Sequence, residues 1–592
     1  MARRIGKKLT VSIFGSGVAG MTAAHELIER GYDVTVYEAR PGSGGKARSM
    51  PVPGTAQAGR PGLPGEHGFR FFASFYKHVP ETMERIPFAN NVRGVLDNLV
   101  TSERTRLTTT SGTVLDMQAR LPRSQNDFES LVSLGHVLTL GIPDSDYAHV
   151  ARLGMVLLSS CKERRLHEYE NITWWEFLDA GQRSEAFRNY FGNIAVRAFV
   201  AMRPEVASLR TVGQIGSRIW LDHFRPGVHV ARLLDGPTNE RWIDPWKSHL
   251  EQLGVTFRHH ARLTRLTCER GRITSATLAT EHGRETISSD LFVCALPVDK
   301  LVPLLTEDMK SAEPRLDHLR KLETAWMVGA QFYLRHDVPL TRGHLVLVDA
   351  PWALTLISQP QFWKTPMSRY GDGSVGGLLS VDLSDWETPG TYVRKPAREC
   401  SREEIRHELW CQLKAHLNRH EDVLRDEDLV TWYLADSIEH VGEHTPIDHE
   451  PLLTNTVGSW WLRPDSAMGI ENFFLAGDYV RTNTDLATME SANESARRAV
   501  NAILDRTGNT AGRCRIWDLD SVAAFAPLRA IDRTRYERGL PPLGMPAKAA
   551  DGTRRYRSEP PMSSEESSRV RRAILRAATI AHEGLSDLRD TG

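Results

Sequence analysis

The first clear pattern in the chain is a short, largely apolar run, Leu9 to Phe14, which stops on Gly15-Ser16-Gly17-Val18-Ala19-Gly20. A short run that is apolar and rich in β-branched residues predicts a buried parallel strand. From Met21 to Arg30 apolar positions return at helical spacing, and Gly31 stands where a helix C-terminus is capped. Tyr32 to Tyr37 predicts a second buried strand, ending on Glu38. Strand, glycine turn, helix and strand in this order predict a βαβ nucleotide-binding unit. The same reading places a strand and turn at Leu291 to Pro297, strands at Met327 to Leu334 and Leu345 to Val348, and an Ala-rich helix from Ser491 to Leu504. The segment 91–234 reads as mainly helical, with Met155 to Leu158 and with Thr173 to Leu178, where Thr173 and Glu176 have capping-box spacing. A helix from Glu403 to Leu417 follows Ser401 as its cap.

The glycine turn carries the first chemistry. Gly15 permits the tight turn, Gly17 lets the backbone approach a pyrophosphate, and Gly20 lets helix and strand pack closely. Free N–H groups at the helix start, around Val18 and Ala19, lie at the positive end of its dipole and suit phosphate oxygens. Glu38 can accept both hydroxyls of an adenosine ribose and would repel a 2′-phosphate, which disfavours NADP. A second match to the same spacing, Gly371 to Gly376, has no strand before it and no helix after it, and reads as a hairpin loop. One dinucleotide site is therefore expected.

Bulk properties narrow the setting. At 592 residues the chain needs more than one core. Lys plus Arg and Asp plus Glu each total 74, so net charge gives no pull toward nucleic acid and none is expected as a partner. The six cysteines form no CxxC pair and no metal-like cluster, so reduced thiols, no metal and a cytoplasmic setting are expected. Met1 to Lys8 is basic but runs into the first strand rather than an apolar leader, so no secretory signal is expected. No run reaches the ~18 apolar residues that span a bilayer, which leaves only peripheral membrane contact open.

Beyond Glu38, the stretch Ala39-Arg40-Pro41-Gly42-Ser43-Gly44-Gly45-Lys46-Ala47-Arg48 resembles the glycine-pair segment of the flavin amine oxidase and phytoene desaturase superfamily, with Lys46 where arginine is more usual. Glu66 to Tyr76 resembles the plant-type desaturase stretch that passes beside the flavin, matching at Glu66, Gly68, Phe72 and Tyr76; Arg70 replaces the usual histidine. Leu234 to Trp242 with Leu253-Gly254-Val255 resembles the segment that re-enters the cofactor domain, and Leu291 to Pro297 the one that leaves it. Arg463-Pro464, Asn472 to Tyr479 and Thr488-Met489-Glu490 resemble the family's C-terminal motif.

This resemblance implies FAD as cofactor and an α/β fold, α+β overall. A discontinuous Rossmann-type FAD-binding domain would comprise 1–90, 235–310 and 455–510, with an inserted mixed substrate domain from 91–234 and 311–454. It implies FAD contacts from Gly15, Gly17, Val18, Ala19, Gly20, Glu38, Ala39, Arg40, Gly44, Gly45, Lys46, Gly68, Phe69 and Arg70, from backbone near Leu263 at the adenine, and from Gly477, Asp478, Thr488 and Met489. Asp478 would bind the ribityl or pyrophosphate region, or else serve only as an N-cap. The Met489 amide would face the flavin N1–C2=O edge, at a helix start that favours negative charge on reduced flavin.

The resemblance also frames the reaction. Amine oxidases of the superfamily carry a lysine on a substrate-domain strand; the counterpart here, Trp326 to Leu334, has none. Trp460 and Trp461 could supply an aromatic cage, although such a pair before a strand is more often core. Phytoene desaturases and hydroxysqualene dehydroxylases need no such lysine, and the expected function is dehydrogenation or dehydroxylation of an apolar, isoprenoid or lipid-like small molecule. Amine or amino-acid oxidation with peroxide release is the alternative, and a non-redox flavin-dependent isomerase or flavin-stabilised structural protein the third. Arg70 is the single candidate for a catalytic role, with a salt-bridged interface arginine as the alternative; His67 is expected to be structural. The electron acceptor, quinone or oxygen, and the oligomeric state leave no motif.

Residues 511–592 depart from the family pattern. The stretch 541–568 is rich in Pro, Ser and charge and is expected to be mobile. A terminal helix from Ser564 to His582 is expected as a solvated or docked tail, with a membrane or partner contact as the alternative.

Overall fold

Five short strands, Thr10–Phe14, Asp33–Tyr37, Thr256–Arg258, Leu291–Cys294 and Phe473–Leu475, form one parallel sheet. The computed structural model describes residues 8–118, 140–222, 228–441, 445–519 and 525–545. Thr10–Phe14 sits at the centre of the sheet, with Asp33–Tyr37 on one side and Leu291–Cys294 on the other; Phe473–Leu475 closes that second edge. Phe14 lies opposite Cys294, and Cys294 opposite Leu475. The chain turns that follow these three strands therefore crowd one edge, the carboxyl end, where parallel sheets bind ligands.

Two helices lie together against this sheet. Val18–Glu29 packs its small residues Ala23 and Ala24 beside Ala496, Ala499 and Val500 of Met489–Thr507, all fully buried in one core. The first helix ends at Arg30, and Gly31 follows with φ +85°, the left-handed position expected of the residue after a C-cap. The second is capped reciprocally by Thr488 and Ser491 and ends on Gly508, also left-handed.

A seven-stranded sheet forms the second body. Its order is Leu429–Leu434, Val328–Leu334, Gly377–Leu383, Leu354–Ser358, Gly343–Leu347, Arg104–Thr108 and Val114–Gln118. Alternation along the strands gives it two unlike faces. Val328, Ala330, Phe332, Leu379, Val381, Leu383, Leu354 and Leu356 share a core with Ile405, Leu409 and Leu413 of the helix Arg402–Leu417. The intervening residues, Gly329, Gln331, Ser380, Asp382 and Thr355, make the opposite face small and polar, yet it too is buried. What covers it is the stretch from Pro64 onward. Tyr333 donates to the Pro64 carbonyl at 2.8 Å, Gln331 Nε2 to the Glu66 carbonyl at 3.2 Å, and Gly329 N to the His67 carbonyl at 2.6 Å.

Three sequence expectations change. The segment 91–234 is not mainly helical throughout, because Leu99–Thr101, Arg104–Thr108 and Val114–Gln118 are strands, and the last two extend the large sheet. Charged Arg104 and Arg106 on its rim, half-exposed, hid the apolar alternation. Gly371 to Gly376 is a loop as expected, but it belongs to a long connection between Leu354–Ser358 and Gly377–Leu383 rather than a tight hairpin. Trp460 and Trp461 are not core: Trp461 is 40% exposed, and Trp460 is covered by the Arg210 guanidinium 3.9 Å from its ring centre.

The C-terminal extension docks where the sequence offered no pattern. Trp517 packs edge-on against His78, and the helix Ala526–Glu537 lies across Asp144–Ser159 and Lys162–His167. Asp532 accepts from Cys161 N at 2.9 Å and pairs with Arg164 at 3.0 Å, both side chains at most 1% exposed. Asp532→Ala leaves Arg164 with only the Glu168 carboxylate and the Leu540 carbonyl, and is expected to lower unfolding free energy by about 3 kcal/mol. Chemical denaturation measures this, and a change under about 1 kcal/mol would show that the extension is not anchored there. The expected terminal helix, Ser564 to His582, lies outside the described residues, as does most of 541–568.

Candidate active site

The glycine turn is built as tightly as its spacing implies. A Cβ on Gly20 would lie 1.9 Å from the Gly15 carbonyl oxygen, and one on Gly15, at φ +99°, 2.9 Å from the Ala295 carbonyl oxygen. Gly17 is different: the nearest atom to its missing Cβ is Gly45 Cα, 3.7 Å away. Gly44 N donates to the Ser16 carbonyl at 2.9 Å, so the glycine pair lies alongside the turn. Gly17 caps the helix Val18–Glu29 with no side chain, and the first turn holds no acidic residue. The helix start is thus a bare, positive cradle bounded by glycine backbone, and it fits a pyrophosphate.

Glu38 closes the far side. Its carboxylate accepts from Ser16 N and Ser16 Oγ at 2.8 Å and from Arg40 N at 3.0 Å, and stays half-exposed, open to further donors. Ala261 N donates to the Glu38 carbonyl, which sets the start of the strand Arg262–Glu269, and Leu263 within it, close to Glu38. Ala39 is exposed. Arg40 reaches Glu450 at 2.9 Å, and Lys46 donates to the Pro451 carbonyl; neither cation turns toward the cradle as a free charge. Arg48 joins them, held by Glu450 at 2.8 Å and Asp436 at 2.5 Å.

The C-terminal motif meets this turn across the sheet edge. Ala476 N donates to the Cys294 carbonyl, one residue before Ala295, which itself abuts Gly15. Gly477 takes φ +148°, and its N–H donates to Ser495 Oγ at 2.8 Å. Asp478 follows with a half-exposed carboxylate that no described donor reaches. It is not the cap of the next helix, since Thr488 has that role, so the N-cap reading of Asp478 is corrected. Behind it Arg463, fully buried, donates to the carbonyls of Asp478, Tyr479 and Val480 and to Asp485. Glu490, adjoining Met489, accepts from Lys77 N, His78 N, His78 Nδ1 and Val79 N, which ties the start of one helix to the start of another.

Gly68 and Arg70 enter from the large sheet. Arg70 donates to the carbonyls of Gly68, at 3.0 Å from Nε, and Lys46, at 3.2 Å. The Lys46 bond links it to the turn beside Gly17. Glu66 is buried and accepts from Thr238 N and Oγ1; burial pushes its carboxyl up to about 7 against the pull of Arg70. His67 is buried, and burial draws its pKa down to about 3, so it is neutral; Glu450 lies 3.6 Å from Nε2. Phe69 and Phe71 face the His344 ring at 4.8 Å each, with Phe199 at 5.9 Å.

The sequence reading missed Asp382. It stands opposite both Gly329 and Thr355 on the polar face, is buried, and its Oδ1 has no hydrogen-bond partner. The signal was present as Ser380 and Asp382 alternating with Leu379, Val381 and Leu383.

A family model described as flavin containing amine oxidoreductase matches residues 18–504. The chain belongs to this family. The flavin amine oxidoreductase is thus an FAD-dependent oxidoreductase, and the cradle, Glu38 and the Asp478 turn are the residues that would hold its cofactor. Among curated relatives, it is 26% identical over 521 residues to a zeta-carotene desaturase of Synechocystis sp., covering 84% of this chain and 97% of that protein. It is 24% identical over 514 residues to a 15-cis-phytoene desaturase of Synechococcus elongatus, covering 84% and 96%. Among solved structures, cyclohexylamine oxidase from Brevibacterium oxydans shares the fold at TM-score 0.57 and 13% identity, over 85% of this chain and all of that one. A putrescine oxidase does so at TM-score 0.56 and 11% identity, over 84% of this chain and 99% of that one. Among the described residues no helix is long and apolar enough to cross a membrane.

Proposed function

We propose that this oxidoreductase removes two hydrogens from an apolar, isoprenoid- or lipid-like substrate, or reductively removes its hydroxyl group. The observation that carries the reading is the aromatic cluster beyond Gly68: Phe69, Phe71 and Phe199 around His344, a histidine that burial alone brings down to about 3 and so leaves neutral. Such an aromatic cluster suits a conjugated or branched hydrocarbon. The strand Val328–Leu334 carries no lysine, which further separates the site from amine oxidation. Kinship to two carotene desaturases over 84% of the chain supports the same substrate class.

Bound FAD would supply a hydride acceptor for dehydrogenation and, once reduced by an external donor, a hydride donor for dehydroxylation; the protein has to place the reacting carbon against it and keep water out. The Gly17–Gly45 cradle would hold the pyrophosphate and Glu38 the adenosine ribose. The start of Met489–Thr507 would lie at the flavin edge where negative charge develops. Arg70 would stand beside the ring, fixed by the Gly68 and Lys46 carbonyls.

Anaerobic mixing with a panel of carotenes, polyprenols and amines tests the reading. Bleaching of the flavin by a hydrocarbon, with a product two mass units lighter and no peroxide, is the expected result. Bleaching by amines alone, with ammonia and peroxide after air is admitted, would overturn it.

A further inference from the structure

The polar face of the large sheet and the Gly68 stretch meet at a single point. A methyl group built on Gly68 would fall 2.7 Å from Asp382 Oδ1 and 3.4 Å from Arg70 Nη2. Glu66 approaches the same guanidinium from the other side, Oε2 to Nε at 3.9 Å. Arg70 gives its hydrogen bonds to carbonyls of Gly68 and Lys46, so it is flanked by two buried carboxyls without being bonded to either. Glu66 is answered by Thr238 on both oxygens. Asp382 Oδ1 has no hydrogen-bond partner. A core position with no function would hold Asn, Ser or an apolar residue here, because an unpartnered buried carboxyl costs stability.

We propose that Asp382 is a positioning residue for the flavin, which with Glu66 sets, by holding or releasing its own proton, how much positive charge Arg70 presents to the reduced ring. The inference rests on the proposed placement of Arg70 beside the flavin. The surrounding charges leave these two carboxyls as the variable groups. His67 on the same stretch is neutral, Lys46 is engaged by the Pro451 carbonyl, and Arg48 and Arg40 are matched by Glu450 and Asp436. From the sheet, Gln331, Ser380 and Thr355 stand on this face and do not titrate, while Tyr333 near Glu66 and Tyr76 near Arg70 are buried phenols that burial holds above their ordinary range and so keeps neutral. Burial pushes both Asp382 and Glu66 up to about 7. Below that range both are neutral and the full charge of Arg70 favours anionic reduced flavin. Above it a carboxylate offsets Arg70, and reduced flavin loses that support.

The test is the midpoint potential of the full-length FAD-loaded protein, followed against pH for wild type, Asp382→Asn and Asp382→Glu. Asparagine imitates the protonated acid at every pH. At about pH 5.5 the Asp382→Asn curve is expected to coincide with wild type. At about pH 8.5 it is expected to lie about 30 mV higher, a tenfold change in the preference for reduced over oxidised flavin. Asp382→Glu is expected to restore the wild-type slope. Arg70→Met provides a second arm if the asparagine variant loses flavin: its potential should fall below wild type at low pH and meet it at high pH. Superimposable curves for Asp382→Asn and wild type, or for Arg70→Met and wild type, would overturn the inference. Because the readout needs no substrate, failure of the substrate panel would sink the desaturase reading alone.

Discussion

Gly20→Ala will purify without FAD. The added Cβ would stand 1.9 Å from the Gly15 carbonyl oxygen and 3.0 Å from the Gly15 carbonyl carbon, both backbone atoms with no rotamer to yield. Gly15 cannot retreat, because it is itself left-handed and pressed on Ala295. The turn must open, and the cradle at Val18 opens with it. Gly17→Ala separates this effect from simple occlusion: its methyl meets only Gly45 Cα at 3.7 Å, so the fold should stand while the pyrophosphate side is filled. The expected pattern is no bound flavin in both variants, with unfolding free energy of the apoprotein lowered by several kcal/mol for Gly20→Ala and by less than about 1 kcal/mol for Gly17→Ala. Flavin absorbance per protein and urea unfolding of the apoproteins measure the two effects. A Gly20→Ala protein that is yellow at full stoichiometry would show that this turn does not hold the cofactor.

Arg463→Met should be among the most damaging single changes outside the glycine turn. Arg463 is 2% exposed and pins three successive carbonyls, those of Asp478, Tyr479 and Val480, while its charge answers Asp485. Methionine keeps much of the volume but leaves three buried acceptors open, and Asp485 with Arg210 as its only guanidinium partner. Breaking a buried pair in this way costs about 3–5 kcal/mol. The loss falls on the loop that presents Asp478, so flavin affinity should drop together with stability. Arg481→Met is the control: it also lies over Trp460, at 5.7 Å, but is half-exposed, bonded to the Trp460 and Trp461 carbonyls and paired loosely with exposed Asp465 at 3.9 Å, and should cost less than about 1 kcal/mol. Equal losses in the two variants would place the stabilisation in the Trp460 stack rather than in the carbonyl clamp.

What could be read from the sequence was local. The Gly15 to Gly20 turn, Glu38, the Thr173 and Ser401 caps and the buried strands each announce themselves within a few residues, because capping and periodicity depend on neighbours in the chain. Asp382, Glu450 and Asp532 could not be found that way. Each acquires its role from a partner hundreds of residues off: Gly68 for Asp382, Arg48 for Glu450, Arg164 for Asp532. Register across a sheet decides such meetings, and one polar residue in a strand does not reveal which other strand will lie beside it. The strands within 91–234 were obscured for a related reason. Arg104 and Arg106 face the half-exposed rim, and only the Leu107 and Leu115 positions report the core.

The position of the strand Phe473–Leu475 at the sheet edge also fixes when the protein can begin to work. Its neighbour Leu291–Cys294 is complete once about half the chain has been made, but the last strand and the Asp478 turn exist only after about four-fifths of it. Until then the nascent chain carries an incomplete cradle with an open parallel edge, a slow-folding and aggregation-exposed arrangement. Flavin can be held by both halves of its site only after that strand has been added.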